Sequence, residues 1–371
     1  MLLKNIEKPT LLLDPKKCLS NIAAMATRAK NAGVHLRPHF KTHQSHEIGN
    51  WFRDYGVDRI AVSSLRMAAY FAADSWRDIT VAVPVNLREI KLINELSQKT
   101  TLNLVAESIE ALQYLEKYLD RCVNIMIEVD PGYHRTGLEW EQADIVDAMI
   151  NLIEKSDKLR FEGLLSHAGH SYHAQGSAEI MNIHRESAGL FERFVNRYKA
   201  QFPEMCTSLG DTPTCSTAEA FPGATEIRPG NFVFYDLTQH HIGSCQKEEI
   251  AVAMACPVLA KHPSRNQLVI YGGGIHFSKD RLQLPNGQLS YGEVVKLLPD
   301  GSWHPMDTPF QVISLSQEHG VVQVDTEWIE KIQPGDLIGV LPVHSCMTAD
   351  CMKSYLSLEG KKVDMCKIYE W

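Results

Sequence analysis

Residues 123–137 read VNIMIEVDPGYHRTG: a short apolar run, Val123 to Val129, that stops at Asp130-Pro131-Gly132 and gives way to a loop closed by Gly137. A run of this length with β-branched residues reads as a strand, and the pattern that follows, Ala143 to Glu154, has the spacing of an amphipathic helix. The same strand-then-helix alternation extends in both directions. Strands are predicted near His35 to Phe40, Arg59 to Ser63, Ile79 to Val83, Thr101 to Val105, Phe161 to Ser166, Thr207 to Gly210 and Ala224 to Ile227. Helical patterns lie at Asn86 to Gln98, Ile109 to Leu119 and Glu179 to Lys199, and Asp14-Pro15 opens an earlier capped helix that Gly33 ends. Short strands separated by amphipathic helices build parallel βαβ units, and eight of them in about 230 residues fit a closed (β/α)8 TIM-type barrel better than an open sheet.

Past Gln239 the rhythm changes. Strands are predicted at Ala251 to Leu259, Gln267 to Tyr271, Gln311 to Leu315, Val321 to Val324 and Asp336 to Val340, punctuated by Pro-Asn-Gly at 285–287, Pro-Asp-Gly at 299–301 and Pro-Gly-Asp at 334–336. The expected organisation is an α/β barrel over residues 14–239 followed by a C-terminal all-β domain over 240–371. The early strand Thr10 to Leu13, within residues 1–13, is expected to join the second domain.

The chain has 371 residues, 44% of them hydrophobic and 22% charged, which is the composition of a soluble globular protein. Its 37 basic and 45 acidic residues give a net charge of -8, with no basic run that would form a nucleic-acid surface. Lys4, Glu7 and Lys8 interrupt the opening segment, and no stretch reaches the roughly 18 uninterrupted apolar residues of a membrane helix, so a cytoplasmic location is expected. The nine cysteines are expected to be reduced, with Cys18, Cys122 and Cys256 as buried structural thiols.

In a barrel, chemistry gathers at the C-terminal ends of the strands. Lys41 sits there, in Arg37-Pro38-His39-Phe40-Lys41-Thr42-His43, where an ε-amine beside cationic neighbours can form an imine with an aldehyde cofactor. His39 and His43 have the HxxxH spacing but lack the glutamate of a zincin helix. Arg135 lies in the loop after the fifth strand. Gly210-Asp211-Thr212-Pro213-Thr214 follows the seventh, and Arg228-Pro229-Gly230-Asn231 the eighth. Glycines and threonine hydroxyls after strands seven and eight suit a phosphate group. His167, His170 and His173 flank Tyr172, and are read as a polar wall of the pocket in preference to a metal site. Gly272-Gly273-Gly274 follows a strand with no predicted helix after it, which argues for backbone packing over a dinucleotide fingerprint. In Pro342-Val343-His344-Ser345-Cys346, an extended segment would project His344 and Cys346 to one side, where imidazole and thiolate suit zinc. Cys351 is a weaker third candidate.

Taken together, RPHFKTH, EVDPGYHRTG, LLSHAGHSYHA, GDTPT, EIRPGNFVFYD, QEHG and PVHSC, in that order, resemble the alanine-racemase-like (fold type III) pyridoxal phosphate enzymes, and among them the D-threonine aldolase and eukaryotic-type D-serine dehydratase group. The resemblance covers almost the whole chain. It implies pyridoxal 5'-phosphate bound to Lys41, phosphate contacts from Gly210, Thr212, Thr214, Gly230 and Asn231, and His167 and Tyr172 lining the cofactor pocket. It places Arg135 near the pyridine nitrogen, with Arg228 as the other candidate for that place. It implies a homodimer and a small-molecule D-amino acid substrate.

The expected activity is that of a lyase on a D-3-hydroxy amino acid. A zinc-assisted D-serine dehydratase, giving pyruvate and ammonia, is the first reading, because the aldolases tend to carry a carboxylate where this chain has Cys346. D-threonine aldolase and D-3-hydroxyaspartate lyase are the near alternatives. An amino-acid racemase or a non-catalytic cofactor carrier is more distant, since no tyrosine segment in the tail matches a second base and a carrier would lack the β domain.

Overall fold

The computed structural model describes residues 2–367. By backbone proximity the chain falls into two compact units: Ile22–Phe232, and a second formed by the segment up to Asn21 together with Val233–Lys367.

Strand β1 (Thr10–Leu13) belongs to the second unit, and the first is built on β2 (His35–Leu36), β3 (Arg59–Val62), β4 (Asp78–Pro84), β5 (Thr101–Ala106), β6 (Val123–Glu128), β7 (Leu159–Ser166), β8 (Cys206–Leu209) and β9 (Glu226–Ile227). These eight are parallel, in the order β2-β9-β8-β7-β6-β5-β4-β3. A further bridge between His39 and Ala61 joins the line of β2 to β3 and closes the barrel. β5 and β6 are almost entirely buried, as strands covered on both faces must be. The surrounding helices present one apolar stripe each: Ala143–Glu154 buries Val146, Met149, Ile150 and Ile153 at helical spacing. Ser64 and Ser108 cap the helices that follow β3 and β5 by accepting from the backbone N–H of Met67 and Ala111.

Between β6 and β7 the register slips by one residue, so that Phe161 pairs with Ile125 and Gly163 with Met126. Gly163 absorbs the slip with φ of +150°, and a Cβ there would lie 1.8 Å from the carbonyl oxygen of Cys206. Gly163→Ala is therefore expected to cost roughly 3 kcal/mol or more, since the clash is with backbone and no side chain can yield. A fall in the urea midpoint at constant slope is the measurement that checks it.

The second unit is antiparallel apart from one pairing. It adds β10 (Val252–His262), β11 (Gln267–Tyr271), β12 (Leu282–Gln283), β13 (Leu289–Ser290), β14 (Gly292–Leu297), β15 (Trp303–Pro305), β16 (Gln311–Leu315), β17 (His319–Gln323), β18 (Leu337–Pro342), β19 (Ser354–Ser357) and β20 (Lys362–Asp364). Because β11 pairs with both β17 and β10, the run β11-β17-β16-β14-β18-β10 returns on itself as a closed antiparallel barrel. β1 is antiparallel to β10, with Thr10 opposite Ala255, and parallel to β19. Gly273 packs backbone on backbone, since a Cβ there would meet the Gln317 carbonyl oxygen at 2.3 Å, while one on Gly272 would meet Cys256 Sγ at 2.8 Å. A short helix, Gly274–Phe277, does begin at the third glycine, contrary to the sequence reading. The expectation for Cys122 is also corrected. It precedes β6 at an exposed corner, whereas Cys18 and Cys256 are fully buried.

Candidate active site

Lys41 stands just beyond β2, at the barrel mouth. The strand line continues past the ladder, with Arg37 N–H on the Ile227 carbonyl and His39 N–H on that of Pro229, both at 2.9 Å, before turning at 40–43. Phe40 and His43 anchor that turn from below, their rings 4.4 Å apart and packed against Phe52 and Phe71. Lys41, between them in sequence, is left exposed over the mouth. His43 is thus a core ring. Burial pushes its pKa down to about 3, and its Nδ1 accepts from Ser45 N–H at 3.1 Å. An unfolded histidine titrates near 6.5, so below that pH the unfolded chain takes up a proton that the native state refuses. The contribution of His43 is therefore intact above about pH 6.5 and is lost at about 1.4 kcal/mol per unit as pH falls toward 3. Urea unfolding of the wild type and His43→Phe at pH 6.5, 5.5 and 4.5 is expected to show the slope smaller by about 1.4 kcal/mol per pH unit in the variant, the share of His39 and His167 remaining.

Arg228, at the end of β9, is buried, and its guanidinium is fixed: Nη2 donates to the Ser166 carbonyl at 2.8 Å and Nη1 to Ser208 Oγ. Ser208 in turn donates to Glu226 at 2.5 Å, and Glu226 accepts from Arg37 Nε at 2.9 Å. Burial raises the Glu226 pKa, but the Arg37 charge and this donor set outweigh it and hold the carboxylate ionised. Arg135 is exposed on the loop after β6, 5.2 Å above the Tyr133 ring. The charges of Lys41, Arg228 and Arg135 all fall on His39 and His167. Burial first, and these cations second, hold both imidazoles neutral, with His167 down to about 3. His167 Nδ1 bonds the Gly210 carbonyl, so that nitrogen carries the proton and Nε2 is an acceptor. The mouth is thus a concentration of positive charge lined with neutral imidazoles, the field that an anionic ligand requires.

The loops after β8 and β9 meet at Thr212. The backbone N–H groups of Gly230 and Asn231 both reach its Oγ1, at 3.2 and 3.0 Å, and its own N–H donates to the Tyr172 hydroxyl at 3.2 Å. Both glycines are required by space. A Cβ on Gly230 would lie 2.9 Å from the His39 carbonyl oxygen, and one on Gly210 would lie 2.7 Å from Arg228 Cβ. This backbone-lined cradle of N–H and hydroxyl groups fits a phosphate, and with Lys41 and the cationic mouth it fits pyridoxal phosphate as a whole. Thr214 serves the loop itself, since its N–H and hydroxyl both donate to Asp211 at 2.7 Å. The three histidines diverge: His170 stacks on Tyr133 at 5.9 Å and contacts Ser187, and His173 is exposed.

In the second unit His344 and Cys346 are brought together, but not by an extended segment. His344 caps the helix Ser345–Met352, and Cys346 lies in its first turn. Asp236 fixes the helix start, accepting from Ser345 N–H at 2.9 Å. Burial opposes charge on His344, yet contacts with Asp280 and with the Cys346 thiol prevail and raise its pKa to about 11. Imidazole and thiol in contact, both half-buried, form a donor pair that fits a zinc-class ion. Asp280 was not visible in the sequence. Its only local sign is the Ser278-x-Asp280 turn, in which Ser278 Oγ donates to Asp280 Oδ2 at 2.7 Å. Among the described residues, one trio of metal-type donors closes within 4.8 Å, Asp130, His134 and Glu139, and there Asp130 already accepts from three backbone N–H groups of its own turn.

The alanine racemase N-terminal domain matches residues 13–237, and the serine dehydratase domain matches residues 251–358. The chain is 29% identical to the D-serine dehydratase of Dictyostelium discoideum, over 95% of this chain and 93% of that one. It is 27% identical to the D-threo-3-hydroxyaspartate dehydratase of Delftia sp. strain HT23, over 100% and 99%. A solved D-threo-3-hydroxyaspartate dehydratase, a cysteine-to-alanine variant in the metal-free form, superposes with a TM-score of 0.91 at 25% identity, covering the whole of both chains. A histidine-to-alanine variant of a dehydratase of that name matches equally, with a TM-score of 0.91 at 25% identity over 100% of this chain and 97% of that one. With the barrel, the cationic mouth and the phosphate cradle in place, the chain belongs to the alanine racemase-like, fold-type III family of pyridoxal phosphate enzymes, in the branch that holds the D-serine and D-3-hydroxyaspartate dehydratases and the D-threonine aldolases.

Proposed function

We propose that this chain is a lyase that removes water from a D-3-hydroxy amino acid, with D-serine as substrate and pyruvate and ammonia as products. The observation that carries the reading is the His344–Cys346 donor pair. The histidine and cysteine replaced in the two solved dehydratase variants lie two residues apart, as these do, and the cysteine variant is metal-free. When bound, pyridoxal phosphate supplies an aldehyde for amine exchange and a ring that takes up negative charge, and zinc supplies a Lewis acid for the 3-hydroxyl. Lys41 holds the cofactor. Released by exchange with the substrate amine, its Nζ accepts the Cα proton. Gly230, Asn231, Thr212 and Tyr172 hold the phosphate, Gly210 leaves room for Arg228 beside that loop, and Thr214 shapes it. His167 offers a neutral face beside it. His344 and Cys346 would hold the metal. The same reading implies a cytoplasmic homodimer, and no described helix is long and apolar enough to cross a membrane.

Incubation with D-serine, D-threonine, D-3-hydroxyaspartate and L-alanine, with product identification, tests the reading. A keto acid and ammonia support it. Glycine with an aldehyde would show an aldolase, and D-alanine a racemase.

We assign the ring nitrogen to Arg228 and not to Arg135; its buried guanidinium, bonded from two sides, supports that reading, whereas Arg135 is exposed. A cation there opposes ring protonation and limits electron uptake. Arg228→Ala is expected to shift the cofactor absorbance and cut turnover on the order of 10²-fold, with a smaller loss and an unshifted spectrum for Arg135→Ala. The reverse pattern would exchange their roles.

A further inference from the structure

We propose that Asp280 is the positioning residue of the metal site, holding the His344 ring so that its other nitrogen is presented with the Cys346 thiol to the ion. The inference rests on the metal-site reading above. Asp280 Oδ2 lies 3.6 Å from His344 Nδ1, a few tenths of an ångström beyond a hydrogen bond. That oxygen is itself held by Ser278 Oγ at 2.7 Å, and the Asp280 backbone N–H returns to the same hydroxyl at 3.2 Å. Ser278 has a left-handed backbone, φ of +70°, a conformation that a non-glycine residue keeps only when its surroundings impose it. The result is a chain Ser278, Asp280, His344 that ends on one edge of the imidazole.

Asp280 is not itself read as a ligand. Among the described residues, Asp280, His344 and Cys346 do not close within 4.8 Å as a trio of donors, and the contact the carboxylate makes is with the ring, Oδ2 to Nδ1 at 3.6 Å. A histidine that gives its far N–H to a carboxylate is fixed in tautomer and rotation, and its metal-facing nitrogen becomes a stronger donor. Asp236, the other nearby carboxylate, is occupied by Ser345 N–H and hydroxyl and by Gln239 N–H, and anchors the backbone instead.

The test is zinc affinity of the full-length protein by competition with a chromophoric chelator at one pH, with cobalt(II) substitution as a second reading. Asp280→Ala is expected to weaken zinc by about 10- to 100-fold. Asp280→Asn, which keeps a carbonyl acceptor for Nδ1–H, is expected to lose less. At saturating cobalt the thiolate charge-transfer band should persist in both, with melting temperature and cofactor loading unchanged. Zinc affinity unchanged in a folded Asp280→Ala variant would overturn the proposal. So would X-ray absorption showing one oxygen neighbour lost from the bound zinc, which would make Asp280 a ligand. A wild-type protein that takes up no zinc, or a His344→Ala variant that binds it undiminished, would instead overturn the metal-site reading on which the proposal stands.

Discussion

Lys41→Ala is expected to abolish turnover of D-serine, by 10⁴-fold or more, because one amine is assigned two tasks. A positioned proton acceptor alone is worth about 10²- to 10⁴-fold, and loss of the covalent attachment adds to it. The position supports the size of the effect: Lys41 is exposed at the barrel mouth on a turn whose flanking residues, Phe40 and His43, are locked in the core. The variant should therefore fold, and its loss should be chemical. Borohydride reduction of the wild type followed by peptide mass analysis is expected to find the cofactor mass on Lys41. Lys41→Arg keeps the charge without a nucleophilic amine and should not recover activity. A cofactor adduct on another lysine, or substantial turnover by Lys41→Ala, would sink the assignment.

The barrel was legible because each of its strands ends in residues chemically unlike itself. The apolar run of β6 stops at Asp130, and that of β7 at His167. Where prolines intervene, legibility fell. The predicted strand from His35 to Phe40 shortens to a two-residue ladder, since Pro38 has no N–H to give, although Arg37 and His39 carry the pairing onward. The second unit was harder. β14 has a single internal apolar pair, Val294-Val295, and β15 is Trp-His-Pro, so neither shows an alternation, and both went unpredicted. At the site, the loop residues were identifiable from glycine and threonine content, but their convergence on Thr212 is a property of the closed barrel. The His344–Cys346 pair was anticipated on an incorrect geometry: a helix start brings the two together as well as a strand would. Asp280 could not be read at all, because its link to His344 is made by the meeting of two segments far apart in sequence, where Thr348 of the helix Ser345–Met352 donates to the Phe277 carbonyl at 3.0 Å.

Removal of the metal is expected to stop elimination while leaving the cofactor in place. Hydroxide is a poor leaving group, and on the placement of Arg228 proposed above, a ring flanked by its buried guanidinium would take up less charge than one beside a carboxylate. Lewis-acid assistance at the 3-hydroxyl is worth several kcal/mol, and each 1.36 kcal/mol is tenfold, so a loss on the order of 10³-fold is expected on chelation. Lys41 and the Thr212 cradle belong to the barrel unit, His344 and Cys346 to the other, so the cofactor absorbance should survive chelator treatment. Added zinc should restore turnover, and magnesium or calcium, which prefer oxygen donors, should do so less well. Cys346→Ala is expected to weaken the metal and reproduce most of the loss. Cys351→Ala should do less, because that thiol lies at the far end of the same helix, where burial keeps it protonated. Full turnover in metal-free protein or in His344→Ala would take the metal out of the reaction and leave Lys41 as the only assigned proton carrier, which is the arrangement of a racemase lacking its second base.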